Sequence, residues 1–490
     1  MTRNCRFAIA GWGVIAPKCR NVDEFERRLE SSQSWLEPFD GFGRDNFLVG
    51  QPSFDLADYR EWIDARFPPR RYAQIAEKLG MPIQYGIGAF IQALRQNPGV
   101  EEWLQELGTR AHVYLGTGIG DIETTRRCAL ELDAAQREWD AFWAGRDDEL
   151  ERYLDELREI EAHDVVGDVE TGKRAAIRRK RNLAARLKER WGAPDPPWSR
   201  VRSELLWNIH NGPASQVSMI GRITGLSFAP VAACATFGVA LHLAMNAIRA
   251  GEADAVVVGA VDPPPNPLVV GGFYSARVIS ADSQVSKPLT GLRGTHIAGG
   301  AAVWIVGRWE AMKERGFRPL GLEPVAVGVS SDADHVITPS VEGPLAAIEL
   351  ALRAAGVAGD EIGTWDLHAT ATPGDITEVE TLRRVLPEHV LLTARKGTFG
   401  HGMSVGGGWE LTAQHLGLAK GILHPTPLGA GEINPEIARL HTRFVTDVRC
   451  RADDCGVGGG RGTIAGKLSM GVGGVNACVV SRPWGPEELE

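Results

Sequence analysis

The sequence predicts an α/β protein built from two similar halves. Short, almost continuously apolar runs such as FAIAGWGVI (7–15) and DAVVVGAV (254–261) alternate with helical stretches. Strands that helices cover on both faces have this composition. The same alternation resumes later in the chain, for example at AAVWIVG (301–307). We therefore expect an N-terminal half over 1–262 and a C-terminal half over 263–490.

Composition and charge narrow the class of protein. The 490 residues are 43% hydrophobic and 23% charged with a formal net charge of -9, which is typical of a globular protein and disfavours a nucleic-acid-binding surface. No apolar run approaches the roughly 20 residues of a membrane span, and the N-terminus has the pattern of a first strand and not of a signal peptide.

The cysteines indicate a reducing compartment. There are seven, an odd number, without a C-x-x-C pair, so we expect a cytoplasmic protein with no disulfide framework and no metal site. Cys450 and Cys455 are interpreted as loop or core thiols.

One segment, 121–205, departs from the α/β pattern. It is dense in charge and in helix-forming residues, and GAPDPPW at its end is a stop and turn signal. Acidic residues dominate 147–170 and basic residues dominate 173–190. We expect a charged helical insertion whose opposite charges pair with each other. The functional alternative is an element that faces a dimer partner or docks a carrier.

Four residues carry the candidate chemistry. Cys234 lies in PVAACATFGVAL, between an apolar run and a helix start, where it is either a packed core thiol or a nucleophile. His368 follows a strand in DLHATATPGDITEVE, and Lys396 and His401 lie in ARKGTFGHGMSVGGG before a helix. Two histidines at strand–helix boundaries together with a cysteine at a helix start are the composition of an acyl-transfer site.

These stretches resemble the β-ketoacyl synthases, the condensing enzymes of fatty acid and polyketide assembly. HATATPGDITE is similar to the family's H-G-T-G-T-P-x-G-D-x-x-E, KGTFGH to its K-x-x-x-G-H, and MGVGGVNA to its F-G-F-G-G-T-N-A. The resemblance covers nearly the whole chain apart from 121–205. It implies a thiolase-like fold with five αβαβα layers, in which the first half carries the nucleophile and the second half carries both histidines.

The resemblance also implies catalytic roles. Cys234 would accept the acyl group, and the backbone amides of Cys234 and Val472 would form the oxyanion hole. His368 and His401 would support decarboxylation of a malonyl-type extender and donate hydrogen bonds to the enolate oxygen, while Lys396 would tune the charge around His401. The N-terminus of the following helix is expected to lower the pKa of the thiol.

Further residues would contact the substrate. The resemblance assigns Thr370 and Thr372 to the pantetheine arm, and Phe237 and Phe399 to the substrate pocket. Cys234, His368 and His401 are expected to converge at the floor of a tunnel sized for that arm, with Lys396 beside them. Phe237 replaces a small residue and Val472 replaces a bulky gating phenylalanine, which predicts a pocket remodelled for an unusual acyl group. This favours specialised metabolism.

Gly300 departs from the family pattern most sharply. The family has a glutamate here that pairs with the lysine equivalent to Lys396. We expect Asp375 or Glu378, or ordered water, to take its place, and Glu410 is less favoured because it lies further along its helix.

The resulting hypothesis is a decarboxylative Claisen condensation by a ping-pong route on thioesters bound to an acyl carrier protein. The phosphopantetheine arrives with the carrier, so no resident cofactor is expected. A homodimer is expected, with a heterodimer with a related subunit as the alternative. Two other functions stay open: a cysteine-dependent acyltransferase or hydrolase that forms no carbon–carbon bond, and a non-catalytic partner subunit of the chain-length type.

Overall fold

The protein is described by a computed structural model that covers residues 5–43, 46–162, 169–457 and 464–489. The chain divides into two compact units. The first joins Met1–Asp121 to Asn208–Glu490, and the second is Ile122–Trp207. The second unit covers nearly the same range as the insertion expected at 121–205, of which 163–168 lie outside the described residues.

The first unit contains the strands of the protein's two main sheets and two short ladders. In chain order these strands are β1 (Phe7–Ile15), β2 (Glu37–Pro38), β3 (Leu48–Val49), β4 (Ala111–Gly116), β5 (Ser227–Phe228), β6 (Ala255–Asp262), β7 (Gly300–Arg308), β8 (Glu323–Ser331), β9 (Ile362–Asp366), β10 (Leu391–Thr393), β11 (Ile422–Leu423), β12 (Cys450–Arg451), β13 (Ile464–Gly471) and β14 (Val475–Arg482).

The helices occupy both units. Those of the first unit are α1 (Val22–Leu29), α2 (Arg60–Arg66), α3 (Arg70–Lys78), α4 (Met81–Leu94), α5 (Val100–Glu106), α11 (Gly212–Gly221), α12 (Thr236–Ala250), α13 (Pro267–Ser275), α14 (Trp309–Glu314), α15 (Glu342–Ala355), α16 (Gly374–Arg383), α17 (Lys396–Phe399), α18 (Gly406–Leu418), α19 (Pro435–Leu440) and α20 (Pro486–Leu489). Those of the second unit are α6 (Ile122–Trp143), α7 (Asp147–Glu161), α8 (Val169–Trp191), α9 (Pro197–Arg200) and α10 (Glu204–Trp207).

The two main sheets have the same topology. The first has the order β1-β7-β6-β4-β5 and the second, read in the same sense, β8-β14-β13-β9-β10. In the first sheet β7 pairs antiparallel with both β1 and β6, and β4 pairs parallel with β6 and β5. In the second sheet β14 pairs antiparallel with both β8 and β13, and β9 pairs parallel with β13 and β10. The chain therefore consists of two topologically equivalent halves, as the sequence predicted.

The division between the halves lies later than the predicted 262/263. Strand β7, which the sequence analysis assigned to the second half, is inserted between β1 and β6 of the first sheet, where Trp304 lies opposite both Trp12 and Val258. An apolar run identifies a buried strand but does not say which sheet it joins. The first half therefore extends to Arg308.

Helices and sheets form five layers in the first unit. Helices α4 and α11 cover the outer face of the first sheet, and α15 covers the second sheet with α16 beside it. Between the sheets lie α12 and α18, which contact each other and strands of both sheets. One stretch, Ala233–Ala250, has the length and composition of a membrane span, but it is essentially α12 and 61% of it is buried in this middle layer.

The second unit has a small aromatic core of its own. Trp139, Trp143 and Tyr153 pack together with Leu187 and Ala193. Oppositely charged side chains of α7 and α8 pair as predicted: Arg190 with Glu156, and Lys180 with Glu161 at 3.4 Å. Arg178, Arg179 and Arg181 on α8 are exposed.

The two cysteines near the C-terminus form a disulfide. The Cys450–Cys455 bond joins residues with Cα atoms 6.8 Å apart, because the turn after β12 folds back on itself through a hydrogen bond from the Cys455 amide to the Arg451 carbonyl. This corrects the interpretation of both residues as separate thiols, which rested on spacing without a view of the turn.

Candidate active site

A strained turn presents Cys234 at the start of α12. Ala233 adopts φ +46°, in the left-handed region that a residue with a Cβ rarely occupies. The Thr236 hydroxyl holds the turn, since it accepts from the Ala232 amide at 2.9 Å and donates to the Ala233 carbonyl at 2.7 Å. Backbone strain of this kind costs about 1–3 kcal/mol and is concentrated at functional sites.

Two backbone amides face the sulfur of Cys234. The amides of Val472 and of Cys234 itself hydrogen-bond to it, and both act to lower the pKa of the thiol. Burial acts more strongly in the other direction, and the pKa is raised to about 11. The expectation that the helix N-terminus leaves this thiol with a lowered pKa is therefore wrong for the free protein, because desolvation of the thiolate outweighs the favourable dipoles. The same two amides are the predicted oxyanion-hole donors.

His368 and His401 lie against each other. Their ring centroids are 5.4 Å apart and their planes meet at 82°. The Met403 amide donates to His401 Nδ1 at 2.9 Å, which places the proton of the neutral ring on Nε2. Burial, followed by the charge of Lys396, lowers the pKa of His401 to about 3 and that of His368 well below its usual value. Both rings are therefore neutral near pH 7, and each neutral ring still has one N–H to donate to an enolate oxygen.

The carboxylate that pairs with Lys396 is Glu410. Lys396 Nζ lies 2.6 Å from Glu410 Oε1 and also donates to the His368 carbonyl. The expectation that Asp375 or Glu378 makes this contact is wrong, because both carboxylates bind backbone amides of the loop that carries His368. Glu378 accepts from the amides of His368 and Ala369, and Asp375 accepts from those of Leu289, Thr370 and Ala371.

The backbone at Gly300 leaves no room for a glutamate. Its φ is +145°, and a Cβ there would lie 2.2 Å from the Ile15 carbonyl oxygen and 2.8 Å from the Trp409 ring. Trp409 fills this space and donates from Nε1 to the carbonyls of Ile15 and Ala301 at 3.1 and 3.0 Å. The next residue along α18 is Glu410, so the same helix that closes the space at Gly300 supplies the carboxylate.

The two threonines are placed differently from the two phenylalanines. Thr370 and Thr372 are partly exposed beside His368, with their hydroxyls 2.9 Å apart, and remain candidates for the pantetheine arm. Phe237 and Phe399 are 0% exposed. Phe237 packs on Trp304, with ring centroids 5.1 Å apart, and Phe399 packs among Phe25, Trp35 and Trp409. Both rings are packed against other side chains in the free protein, and their contact with substrate stays a prediction.

Three further buried charges lie behind the site, and the sequence analysis did not find them. Lys467 Nζ is 2.9 Å from Glu410 Oε2 and 3.7 Å from Asp366 Oδ1, and Arg395 Nε is 3.0 Å from Asp366 Oδ2. The available signal was a single charged residue, a lysine, in β13 and a single aspartate at the end of β9.

The local elements bring the cysteine and the histidines together. The turn that carries Cys234 contacts β13 and also the turn Met403–Val405, which follows His401. The charge of Lys396 acts on both histidines and on the thiol. The site can therefore accept an acyl group on sulfur, hold an oxyanion with two amides and offer two neutral imidazoles to a second anion.

Family models match two parts of the chain. Residues 193–311 match the model described as "Beta-ketoacyl synthase, N-terminal domain", and residues 323–428 match "Beta-ketoacyl synthase, C-terminal domain". These ranges contain Cys234, both histidines, Lys396 and Glu410.

Curated relatives and solved structures agree with these matches. The chain is 27% identical over 437 residues to 3-oxoacyl-[acyl-carrier-protein] synthase 2 of Vibrio cholerae, covering 86% of this chain and 88% of the relative. It is 28% identical over 234 residues to nodulation protein E of Rhizobium meliloti, covering 46% and 58%.

The fold is that of solved ketosynthases. It is similar to the ishigamide ketosynthase/chain length factor, with a TM-score of 0.74 at 20% identity over 99% of this chain and 100% of that one. A β-ketoacyl synthase from Burkholderia phymatum gives 0.73 at 19% over 98% and 100%. A type II polyketide ketosynthase solved in complex with its acyl-carrier protein gives 0.71 at 19% over 99% and 100%.

Proposed function

Because the chain belongs to the β-ketoacyl synthase family, we propose that it joins acyl units on acyl carrier proteins by decarboxylative Claisen condensation. One observation carries the proposal: a buried cysteine whose sulfur faces two amide donors lies in one site with two neutral, contacting imidazoles. In the terms of enzyme class, the protein is a condensing transferase, specifically a 3-oxoacyl-[acyl-carrier-protein] synthase.

The first half-reaction is acyl transfer to Cys234. The thiol loses its proton and attacks the carbonyl carbon of the carrier thioester. The carbon–sulfur bond to the phosphopantetheine breaks, and that sulfur takes up the proton. The amides of Cys234 and Val472 stabilise the oxyanion in between, and each such donor contributes about 3–4 kcal/mol.

The second half-reaction begins with a malonyl-type thioester. Its terminal carbon–carbon bond breaks and releases carbon dioxide, and the electron pair passes to an enolate oxygen that His368 and His401 hold by donated hydrogen bonds. The enolate carbon attacks the acyl carbonyl on Cys234. The carbon–sulfur bond breaks, the β-ketoacyl product stays on the carrier, and the cysteine takes up a proton.

Two half-reaction assays test the proposal. Intact mass after incubation with a panel of acyl-carrier proteins should show one acyl group on Cys234, and malonyl-carrier protein should release carbon dioxide. Acyl loading without carbon dioxide release would instead favour an acyltransferase or hydrolase. Absence of acylation would favour a non-catalytic partner subunit, although retention of the cysteine, both histidines and the lysine is unfavourable to that reading.

We further propose a cytoplasmic homodimer that meets its carrier through a pantetheine tunnel. Support for the dimer comes from β5, the edge strand of the first sheet, beside which Leu226, Val231 and Met219 are each more than half exposed. An unpaired edge with apolar neighbours is a template for pairing with another chain. Leu226→Arg should lower the mass measured by light scattering to that of one chain. Copurification with a different, related subunit would favour the heterodimer.

The pocket supports an unusual acyl group. Val472, which stands where the family has a bulky gating phenylalanine, is 42% exposed and has a smaller side chain, which supports a site adapted to a different acyl group. We propose a substrate from specialised metabolism, to be identified by which acyl-carrier protein of the panel loads fastest.

A further inference from the structure

Lys467 is a buried cation to which the proposed mechanism gives no role. It lies on β13 with its side chain 1% exposed. Besides its ion pairs with Glu410 and Asp366, it donates to the carbonyl oxygen of Leu367, 3.3 Å away, and to that of Leu468. Lysine is almost never buried to this degree without carboxylate partners. The contacts place it directly behind the catalytic residues.

Glu410 bridges two lysines. Its Oε1 lies 2.6 Å from Lys396 Nζ, and its Oε2 lies 2.9 Å from Lys467 Nζ. Lys396 in turn donates to the carbonyl oxygen of His368. A continuous path of polar contacts therefore runs from Lys467 through Glu410 and Lys396 to the peptide group that carries one of the two imidazoles.

The path is embedded in a larger set of buried charges. Lys467 Nζ lies 2.9 Å from Glu410 Oε2 and 3.7 Å from Asp366 Oδ1, and among the described residues these two buried oxygens have no hydrogen-bond partner, so the ammonium charge balances them. The charged and titratable groups around it are Asp366 on β9, His368 on the loop that follows, Glu378 on α16, Arg395 and Lys396 at the start of α17, His401, Glu410 on α18 and Cys478 on β14.

We propose that Lys467 is a positioning residue for the decarboxylation step: it fixes the far oxygen of Glu410, so that the near oxygen orients Lys396 and, through it, His368. The inference rests on the proposed function and adds to it a residue whose side chain lies behind Glu410. An ammonium shared in this way also keeps the second carboxylate, Asp366, from turning toward Lys396.

The charge of Lys467 also affects the protonation of the two histidines. The positive charge of Lys467 adds to burial and to Lys396 in lowering the pKa of both His368 and His401. Lys467 itself stays protonated: burial opposes its charge, but Glu410 and Asp366 outweigh burial and raise its pKa. The polar path from Lys467 runs through Glu410 and Lys396 to the His368 carbonyl and does not include Cys234. Loss of Lys467 should therefore impair decarboxylation and leave acyl loading intact.

The experiment compares the two half-reactions in Lys467→Met, which keeps the length of the side chain and removes its charge. Loading of Cys234 should stay within about twofold of the unmodified protein. The kcat for carbon dioxide release from malonyl-carrier protein should fall about 10- to 100-fold with little change in KM, as a displaced catalytic group requires. The acid limb of that rate should move to higher pH, because the histidines lose a neighbouring cation.

Three comparisons make the result decisive. Lys420→Met, at an exposed lysine paired with Glu26, is the matched control and should match the unmodified protein in both assays. If Lys467→Met does not fold, Lys467→Gln, which keeps a donor without the charge, carries the same expectations. In a Glu410→Gln background, Lys467→Met should cost less than about threefold, because the contact through which it acts is already gone.

Several outcomes would overturn the inference. They are an unchanged rate of carbon dioxide release, an equal loss in both half-reactions with an unchanged pH profile, or a full additive loss in the Glu410→Gln background. Failure of the proposed function gives a different result, since the unmodified protein would then release no carbon dioxide at all.

Discussion

Replacing Glu410 by glutamine tests the electrostatic centre of the site. The side chain is 1% exposed and lies within 2.6 and 2.9 Å of two ammonium groups. Glutamine preserves its shape but leaves Lys396 and Lys467 buried without this carboxylate. Removing one partner of a buried ion pair costs about 3–5 kcal/mol, because an uncompensated charge remains. We expect Glu410→Gln to lower the free energy of unfolding by that amount at pH 7.

The pH dependence of this loss has a definite sign. Burial acts to raise the pKa of Glu410, but the two lysines outweigh it and the pKa is lowered. A carboxyl with a lowered folded pKa stabilises the fold above its unfolded pKa, which is about 4.3, and loses that contribution as the pH falls through the folded value. The difference between the variant and the unmodified protein should therefore be constant from pH 7 to about 5 and shrink below about pH 4.

The assay is urea unfolding followed by circular dichroism, with Glu432→Gln as the matched control. Glu432 lies 2.7 Å from Lys287 Nζ but is 46% exposed, so its loss should cost at most about 1 kcal/mol. If Glu410→Gln is no more destabilising than Glu432→Gln at pH 7, the argument from burial is refuted.

Three other predictions follow from the geometry. Alkylation of Cys234 by iodoacetamide, followed by peptide mass, should rise about tenfold per pH unit up to pH 10, because its pKa is raised to about 11; a plateau near pH 8 would contradict this. Carbon dioxide release should show no acid limb from His401 above about pH 5, since its pKa is lowered to about 3; a limb near pH 6.5 would show that the ring is not desolvated as described. Gly300→Ala should cost about 3 kcal/mol or more in urea unfolding, because its Cβ would lie 2.2 Å from the Ile15 carbonyl oxygen, whereas Gly272→Ala, with no atom within 4 Å, should cost under about 1 kcal/mol; equal costs would disprove the steric argument.

The sequence singled out the candidate catalytic residues but not their surroundings. Cys234, His368, Lys396 and His401 could be found because each lies at a strand end or helix start within a recognisable stretch, and strand ends on neighbouring strands meet in space. Glu410 could not be assigned, because position along a helix does not reveal which loop the helix passes. The packing of Trp409 at Gly300 decides that, and it is a long-range contact.

The errors have physical causes of the same kind. The packing of Phe237 was not foreseen: one helical turn after the nucleophile, its ring points toward the first sheet and Trp304. Lys467 was not predicted as part of the site, because it lies within a buried strand. In the structure it lies directly opposite Asp366 in the pairing of β13 with β9. The register between two parallel strands about a hundred residues apart in the chain cannot be predicted from the sequence of either strand alone.

The shared topology of the two halves has an electrostatic consequence. The middle-layer helices α12 and α18 each follow the third strand of their own sheet, and the turns that open them, Ala233–Ala235 and Met403–Val405, contact each other. An α-helix carries about half a positive charge at its N-terminus. Two such ends therefore converge at the candidate site, where the proposed cycle would form a thiolate, an oxyanion and an enolate in succession. Neither half supplies this field by itself, so the duplication gives one site the positive potential of two helix ends.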